Sequence, residues 1–278
     1  MTAATPVRAR GNDPDDVRHL DRAPRERFLY ALNPLAKIAA PVPAMLALLA
    51  VRDLQTPTAF LVLAYAVIFV GARLSARMLA VLLLAVPASL IVIGIAFSLW
   101  TDASRISHDV VVLQIGSWTL YGEALEVGFA TALRLGAILT LALVGGLTTT
   151  GADLTRSMIQ QLRVPYRVGY TALAAFRFVP RFGYELEVIR AAHRVRGASH
   201  GRGPIAVVRR RMGYVVPLLA GAIRHAERVA LSMDSRAFGA YPRRTERYRI
   251  PFRARDVVFI ALFWSATAAI FLTLRPWA

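Results

Sequence analysis

The chain has 278 residues, 56% of them hydrophobic and 18% charged, yet it carries a formal net charge of +17 and a mean hydropathy of +0.48. That much apolar content excludes a disordered or nucleic-acid-binding tail, and the absence of cysteine excludes a disulfide-stapled secreted domain, Cys-ligated metal sites and cysteine nucleophiles. An integral membrane protein with its charges gathered into particular segments remains, and Lys37 is the only lysine among its cations.

Residues 1–30 are polar and mixed in charge. They lack the apolar run and cleavage site of a secretory signal, so a disordered cytoplasmic tail is expected. Residues 31–147 read as a four-helix membrane region. A helix crossing a ~30 Å hydrocarbon core needs roughly 20 mostly apolar residues. Ile38–Val51 and Pro57–Gly71 fall short of that and flank Arg52-Asp53-Leu54-Gln55-Thr56. They fit a tight helical hairpin that borrows flanking residues, or one interrupted re-entrant segment. Pro41 and Pro43 sit in a first turn, where a missing amide donor matters least. Met78–Leu99 is uncharged throughout, and Ala124–Leu147 is apolar apart from Glu126 and Arg134. Arg134 either faces a protein contact or snorkels outward, because a charge within lipid is expensive.

Residues 148–255 are too apolar for a linker and too charged for the bilayer, and read as a cytoplasmic or interfacial region of coupling helices. Thr150-Gly151-Ala152-Asp153 has the form of a capping box, so a short helix is expected to start there and end before Pro165. A second helix is expected from Tyr166 to Arg196, stopped by Gly197. Within it, Leu173, Phe176, Pro180, Tyr184, Val188 and Ala191 mark an apolar stripe. The Gly- and Pro-rich segment 198–204 is a loop. A third helix follows over Met212–Arg236, with Val215, Leu219, Ala222, Ala226, Val229 or Ala230, and Met233 along its apolar face. Residues 256–278 form the last transmembrane helix, so the fold class is an all-α membrane protein of about five spans.

Charge sets the orientation. Residues 181–255 hold 17 arginines against five acids, which is +12 of the total +17. An amino terminus inside puts every basic segment in the cytoplasm and the carboxyl terminus outside. Val168–Pro180 must then not cross, in keeping with its short length and Arg177.

The second and third helices end alike. One closes with Val195-Arg196-Gly197, the other with Ser235-Arg236-Ala237. An arginine in a last helical turn is favoured by the negative end of the helix dipole. A tiny residue after it lets a partner backbone approach and leaves the planar five-donor guanidinium free for carboxylates or helix-end carbonyls. Taken singly, each is equally an ordinary positive-inside arginine.

As a pair and in this order, these features resemble the transmembrane (T) component of energy-coupling factor transporters, the EcfT/CbiQ family of vitamin and transition-metal importers, which carries two Ala-Arg-Gly signatures at the ends of two cytoplasmic coupling helices. Leu32-Asn33-Pro34-Leu35-Ala36-Lys37, Thr148-Thr149-Thr150, Arg177-Phe178-Val179-Pro180 and Arg244-Thr245 are similar to further stretches of that family, across about Ala31–Leu274. Both signatures here lack the leading Ala, and Ala237 replaces the usual Gly. The resemblance implies a non-catalytic subunit of an ATP-driven importer in the bacterial inner membrane. It would hold no cofactor of its own, ATP being bound by partner subunits. Two ABC ATPases would dock on Val195, Arg196, Gly197, Ser235, Arg236 and Ala237. A substrate-binding S component and the lipid bilayer would be the other partners, with no nucleic acid.

The residues themselves fit that absence of chemistry. No Gly-x-x-x-x-Gly-Lys-Ser/Thr loop exists, and Lys37 is not glycine-flanked. The histidines are scattered, with no pair at the spacing of a helical metal site. Two rival readings are a conventional ABC importer permease, which couples through one short helix, and a membrane-embedded lipid-phosphate transferase, which needs clustered aspartates that are not seen at a cytoplasmic edge.

Overall fold

The computed structural model describes residues 27–101, 111–115, 118–197, 203–242, 245–246 and 248–275. Most of the polar amino-terminal segment and Arg244 therefore lie outside the described residues. The chain divides into two compact units, one running to Leu154 and resuming at Pro251, the other spanning Thr155–Ile250.

The first unit is a bundle of apolar helices. A short α1 (Phe28–Ala31) buries Leu29 completely. Before it, Arg27 donates from Nη1 to the carbonyls of Phe69 (2.9 Å) and Ala72 (2.7 Å), capping the carbonyl end of α3 (Gln55–Gly71). Helix α2 (Pro34–Leu48) is broken into Pro34–Ala39 and Val42–Leu48 at Ala40 and Pro41. Its start is set by Asn33, whose Oδ1 accepts the Leu35 N–H at 3.0 Å, with Pro34 following where no amide donor is required. Thus α2 and α3 are two separate helices. In the turn between them, Asp53 Oδ2 accepts both the Thr56 N–H and its hydroxyl at 2.8 Å.

Among the described residues, three helices are long and apolar enough to cross a membrane: α4 (Ala76–Trp100), α5 (Gly122–Gly146) and α9 (Ala254–Leu274). They contain or overlap the three long runs read from the sequence. Within α4, Val81–Ala85 forms a π turn just before Pro87, whose ring nitrogen cannot donate to the preceding turn. The Leu82 carbonyl there accepts the Tyr65 hydroxyl at 2.6 Å, so the irregular backbone in lipid finds a partner on α3.

Small residues bring α4 and α5 together. Gly94 and Ser98, one turn apart, face Gly128 on α5, where a Cβ would overlap Ser98 Oγ and stand 2.6 Å from the Gly94 carbonyl oxygen. Ala132 and Gly136 continue that small-residue row at i+4 spacing along α5, the arrangement that lets membrane helices pack by close backbone contact. Elsewhere Ala40, Ala44, Leu48, Phe60, Ala64, Ala137, Leu141 and Phe263 form one core cluster, joining α2, α3, α5 and α9. Arg134, half-way along α5, is half-buried and has Arg52 and Asp53 from the α2–α3 turn as charged neighbours.

Between α4 and α5 the backbone makes an antiparallel hairpin, β1 (Val111–Ile115) with β2 (Trp118–Tyr121), irregular between Val111 and Leu113. The other regular elements among the described residues are all helices.

A buried polar lock ties three chain segments together. The Lys37 ammonium, 2% exposed, donates to the Thr148 carbonyl at 2.8 Å just beyond α5. Asp256, fully buried in the first turn of α9, accepts the N–H groups of Asn33 and Arg253, both at 2.7 Å. Asp153 and Asp256 are the acidic neighbours of Lys37, and the Arg255 guanidinium also bonds the Ala31 carbonyl.

The second unit holds the helices of the polar insertion. Helix α6 (Gly151–Gln161) begins as expected, with Thr150 Oγ1 accepting the Asp153 N–H at 3.1 Å. Helices α7 (Tyr166–Val195) and α8 (Pro204–Asp234) are each about 45 Å long at 1.5 Å per residue. Helix α8 starts eight residues before the expected Met212, because Pro204 suits a first turn and Arg209-Arg210-Arg211 continue the helix on its surface.

Candidate functional site

The two long helices of the second unit are antiparallel. Phe178 stacks on His225 with ring centroids 4.5 Å apart, Glu185 lies against Gly221, and His193 meets Tyr214 edge-on at 5.2 Å. Residue numbers rise along α7 as they fall along α8, so the carboxyl ends lie at opposite ends of the pair. Arg196 is then level with about residue 211 of α8, and Arg236 lies roughly 40 Å away at 1.5 Å per residue.

The covered faces follow the predicted apolar stripes only in part: Leu173 and Ala191 on α7 and Ala222, Val229 and Met233 on α8 are half-buried. On α7 the residues turned towards α8 are Phe178, Phe182, Glu185, Ile189 and His193, while the predicted stripe members Phe176, Tyr184 and Val188 are 49%, 69% and 51% exposed. On α8 the packed side holds Tyr214, Gly221 and His225, whereas Val215 and Leu219 from the predicted stripe are exposed, along with Val216 and Ile223. Each helix is apolar on two sides, and periodicity alone cannot say which side meets the other helix.

Both helix ends are built alike. At the end of α7, the Arg196 N–H closes on the Ala192 carbonyl and the Gly197 N–H on the Arg194 carbonyl, each at 3.1 Å. Gly197 has φ +69°, so the residue after the arginine adopts the left-handed conformation that glycine takes without steric cost. At the end of α8, the Ala237 N–H bonds the Asp234 carbonyl at 2.9 Å and the Phe238 N–H bonds the Met233 carbonyl at 3.0 Å. That pair of bonds is the Schellman motif, with Ala237 in its left-handed position at φ +54°. The rule behind Arg-Gly is therefore geometric: the chain must turn sharply once the arginine has been presented. Ala237 obeys it against its own preference, at a cost of about 1–2 kcal/mol. Ala237→Gly is expected to raise stability by about 1 kcal/mol in detergent thermal unfolding; a loss of stability would argue against strain at this turn.

Arg196 and Arg236 are both exposed, as are Val195 and Ser235. Each guanidinium stands where helix-end carbonyls concentrate negative potential. Behind Arg236 the chain folds back over the end of α6 and the start of α7. Phe238 sits edge-on to Tyr166 (5.8 Å) and Tyr170 (6.3 Å). Arg167 Nη2 donates to the Gly239 carbonyl at 2.6 Å, Tyr166 to the Tyr241 carbonyl at 2.6 Å, and Tyr170 to Glu246 Oε2 at 2.8 Å. Gln160 pairs like a strand, donating to the Tyr248 carbonyl at 2.7 Å and accepting the Ile250 N–H at 2.8 Å, while Gln161 donates to the Ile250 carbonyl at 2.9 Å. Arg156 lies 5.2 Å over the Tyr248 ring. None of these bracing residues has a periodic or motif signal that marks it in the sequence.

The remaining expected residues fall in separate places. Pro34 and Lys37 belong to the buried lock of the first unit. Arg177 and Pro180 are exposed on α7, which continues through the proline, and Thr245 is exposed in the segment after α8. Among the described residues, no three His, Cys, Asp or Glu side chains gather where they could hold a metal ion. His193 packs on Tyr214.

The family model described as CbiQ, cobalt transport protein, matches residues 25–247. Curated relatives include the energy-coupling factor transporter transmembrane protein EcfT of Bacillus selenitireducens, 27% identical over 58% of this chain and 63% of its own, and EcfT of Bacillus subtilis, 26% identical over 58% of this chain and 64% of its own. A putative ABC transporter ATP-binding protein of Bifidobacterium longum is 28% identical over 57% of this chain but only 21% of its own. The matches thus span less than two thirds of the length of these relatives.

Proposed function

This chain belongs to the CbiQ family, cobalt transport protein, and from that premise we propose that it is the transmembrane scaffold (T) subunit of an energy-coupling factor ABC importer. It is non-catalytic. It joins a substrate-binding S component in the bilayer to two cytoplasmic ABC ATPases, which bind the ATP. The ATPase cycle of ATP binding and hydrolysis is coupled to reorientation of the S component, and a vitamin or a transition-metal ion such as cobalt or nickel is the cargo.

One observation carries this reading: two long helices, antiparallel to each other, each end in an exposed arginine followed at once by a left-handed residue. Ends roughly 40 Å apart suit two separate sockets better than one. A guanidinium at a helix carboxyl end suits an acidic groove, where it can make bidentate charge-assisted hydrogen bonds. ATP binding draws the two ATPases together, the arginine ends follow, and α7 and α8 shift at their crossing. The outward apolar residues Phe176, Val179 and Val188 on α7 and Val216, Leu219 and Ile223 on α8 then move the S component with them.

The amino terminus is cytoplasmic and the carboxyl terminus external, following the basic segments. A tag placed on Ala278 is expected to react with an impermeant reagent in intact cells; full protection would refute that orientation. The function itself is tested by purifying the tagged chain from native membranes. Proteins carrying Gly-x-x-x-x-Gly-Lys-Ser/Thr peptides should come with it, and ATP hydrolysis should follow them and leave the stripped chain inert. Hydrolysis by the stripped chain, or a complex without ATPases, would overturn the proposal.

A further inference from the structure

The turn that follows Arg236 is fixed from outside its own helix. Its three residues, Ala237, Phe238 and Gly239, are held respectively by the paired helix-end hydrogen bonds, by the rings of Tyr166 and Tyr170, and by Arg167. The fit at Gly239 is close: it has φ +92°, and a Cβ there would stand 3.1 Å from Arg167 Nε and 3.3 Å from Arg167 Cζ. Arg167 is exposed in the first turn of α7, 72 residues from its acceptor. Neither burial nor helix formation calls for a guanidinium at that point. Its visible work is to hold the carbonyl three residues beyond Arg236.

We infer that Arg167 is a positioning residue, which holds the turn after Arg236 so that this arginine meets its ATPase in a preset direction. The inference rests on the docking role proposed above and adds to it a residue outside both signatures. A preset arginine loses less freedom on binding, and the saving appears as affinity. Arg167 also links the two coupling helices, because a displacement at the end of α8 is felt directly at the start of α7. Phe238 between Tyr166 and Tyr170 supplies the apolar part of the same link.

The chain has no cysteine, so Val195→Cys and Ser235→Cys each place one photo-crosslinker beside one arginine in the full chain, in native membranes. Adducts are scored by ATPase peptides carrying the Gly-x-x-x-x-Gly-Lys-Ser/Thr loop. Arg167→Ala should lower capture at position 235 about tenfold, the factor set by losing one hydrogen bond to a charged group, and leave capture at position 195 unchanged. Arg167→Lys, which keeps a cationic donor, should restore most of it. Undiminished capture at position 235 in Arg167→Ala overturns the inference. So does an equal fall at both positions, which would mean general damage. Arg236→Glu in the Ser235→Cys chain separates the two levels. If Arg236→Glu abolishes capture while Arg167→Ala does not, only the positioning role fails; if Arg236→Glu retains capture, the docking role fails with it.

Discussion

Reversing both helix-end charges, Arg196→Glu with Arg236→Glu, is expected to abolish recovery of ABC ATPases with the chain from native membranes. Each single reversal should weaken recovery by roughly 100-fold, since breaking one hydrogen-bonded charge pair at an interface costs about 2–5 kcal/mol. The double change removes both docking arginines and should leave nothing detectable. Neither arginine is buried, so the fold has no reason to fail, and unchanged thermal unfolding of the purified variant is the control. Arg→Lys at either position should give an intermediate loss, because an ammonium cannot reproduce the two-pronged geometry of a guanidinium. Wild-type recovery by the double reversal would mean that the ATPases are held by other surfaces.

The buried lock of the first unit should show the largest stability effect in the chain. Asp256→Ala removes a fully buried carboxylate that accepts two backbone N–H groups at 2.7 Å and neighbours the Lys37 ammonium. It leaves two amides without an acceptor and a buried cation with less compensation, and is expected to cost about 3–5 kcal/mol in detergent unfolding. Lys37→Met removes the donor to the Thr148 carbonyl and should cost about 2 kcal/mol. If the two side chains form one network, the double variant Lys37→Met with Asp256→Ala should lose less than the sum of the two, because the apolar replacement no longer requires a counter-charge. Strict additivity would separate Lys37 from Asp256 energetically.

These residues also mark how far the sequence could be read. The three long spans were legible because roughly 20 apolar residues in a row have few alternatives. Thr150 and Gly197 were legible because caps and left-handed stops depend on local chemistry, and both stand where the sequence places them. The face by which α7 meets α8 was not legible. Val188 and Leu219 are as apolar as Ile189 and Leu218, and only the partner helix decides which are covered. The Gly128, Ala132 and Gly136 row was available as small residues at i+4 spacing, but it acquires meaning only opposite Gly94 and Ser98. The Asn33–Asp256 and Arg167–Gly239 bonds join residues 223 and 72 positions apart, which no local pattern encodes. Lys37 stands out as the only lysine and within its family-like stretch, and its contact with the Thr148 carbonyl supplies the physical reason for a lysine in an apolar helix.

The most direct measurement is an experimental structure of the chain assembled with its ATPases. The docking role predicts Arg196 in a groove of one ATPase and Arg236 in the equivalent groove of the other, each guanidinium within hydrogen-bond distance of a partner carboxylate or helix-end carbonyl. Two guanidinium groups resting on phospholipid headgroups, with both ATPases bound elsewhere, would contradict it.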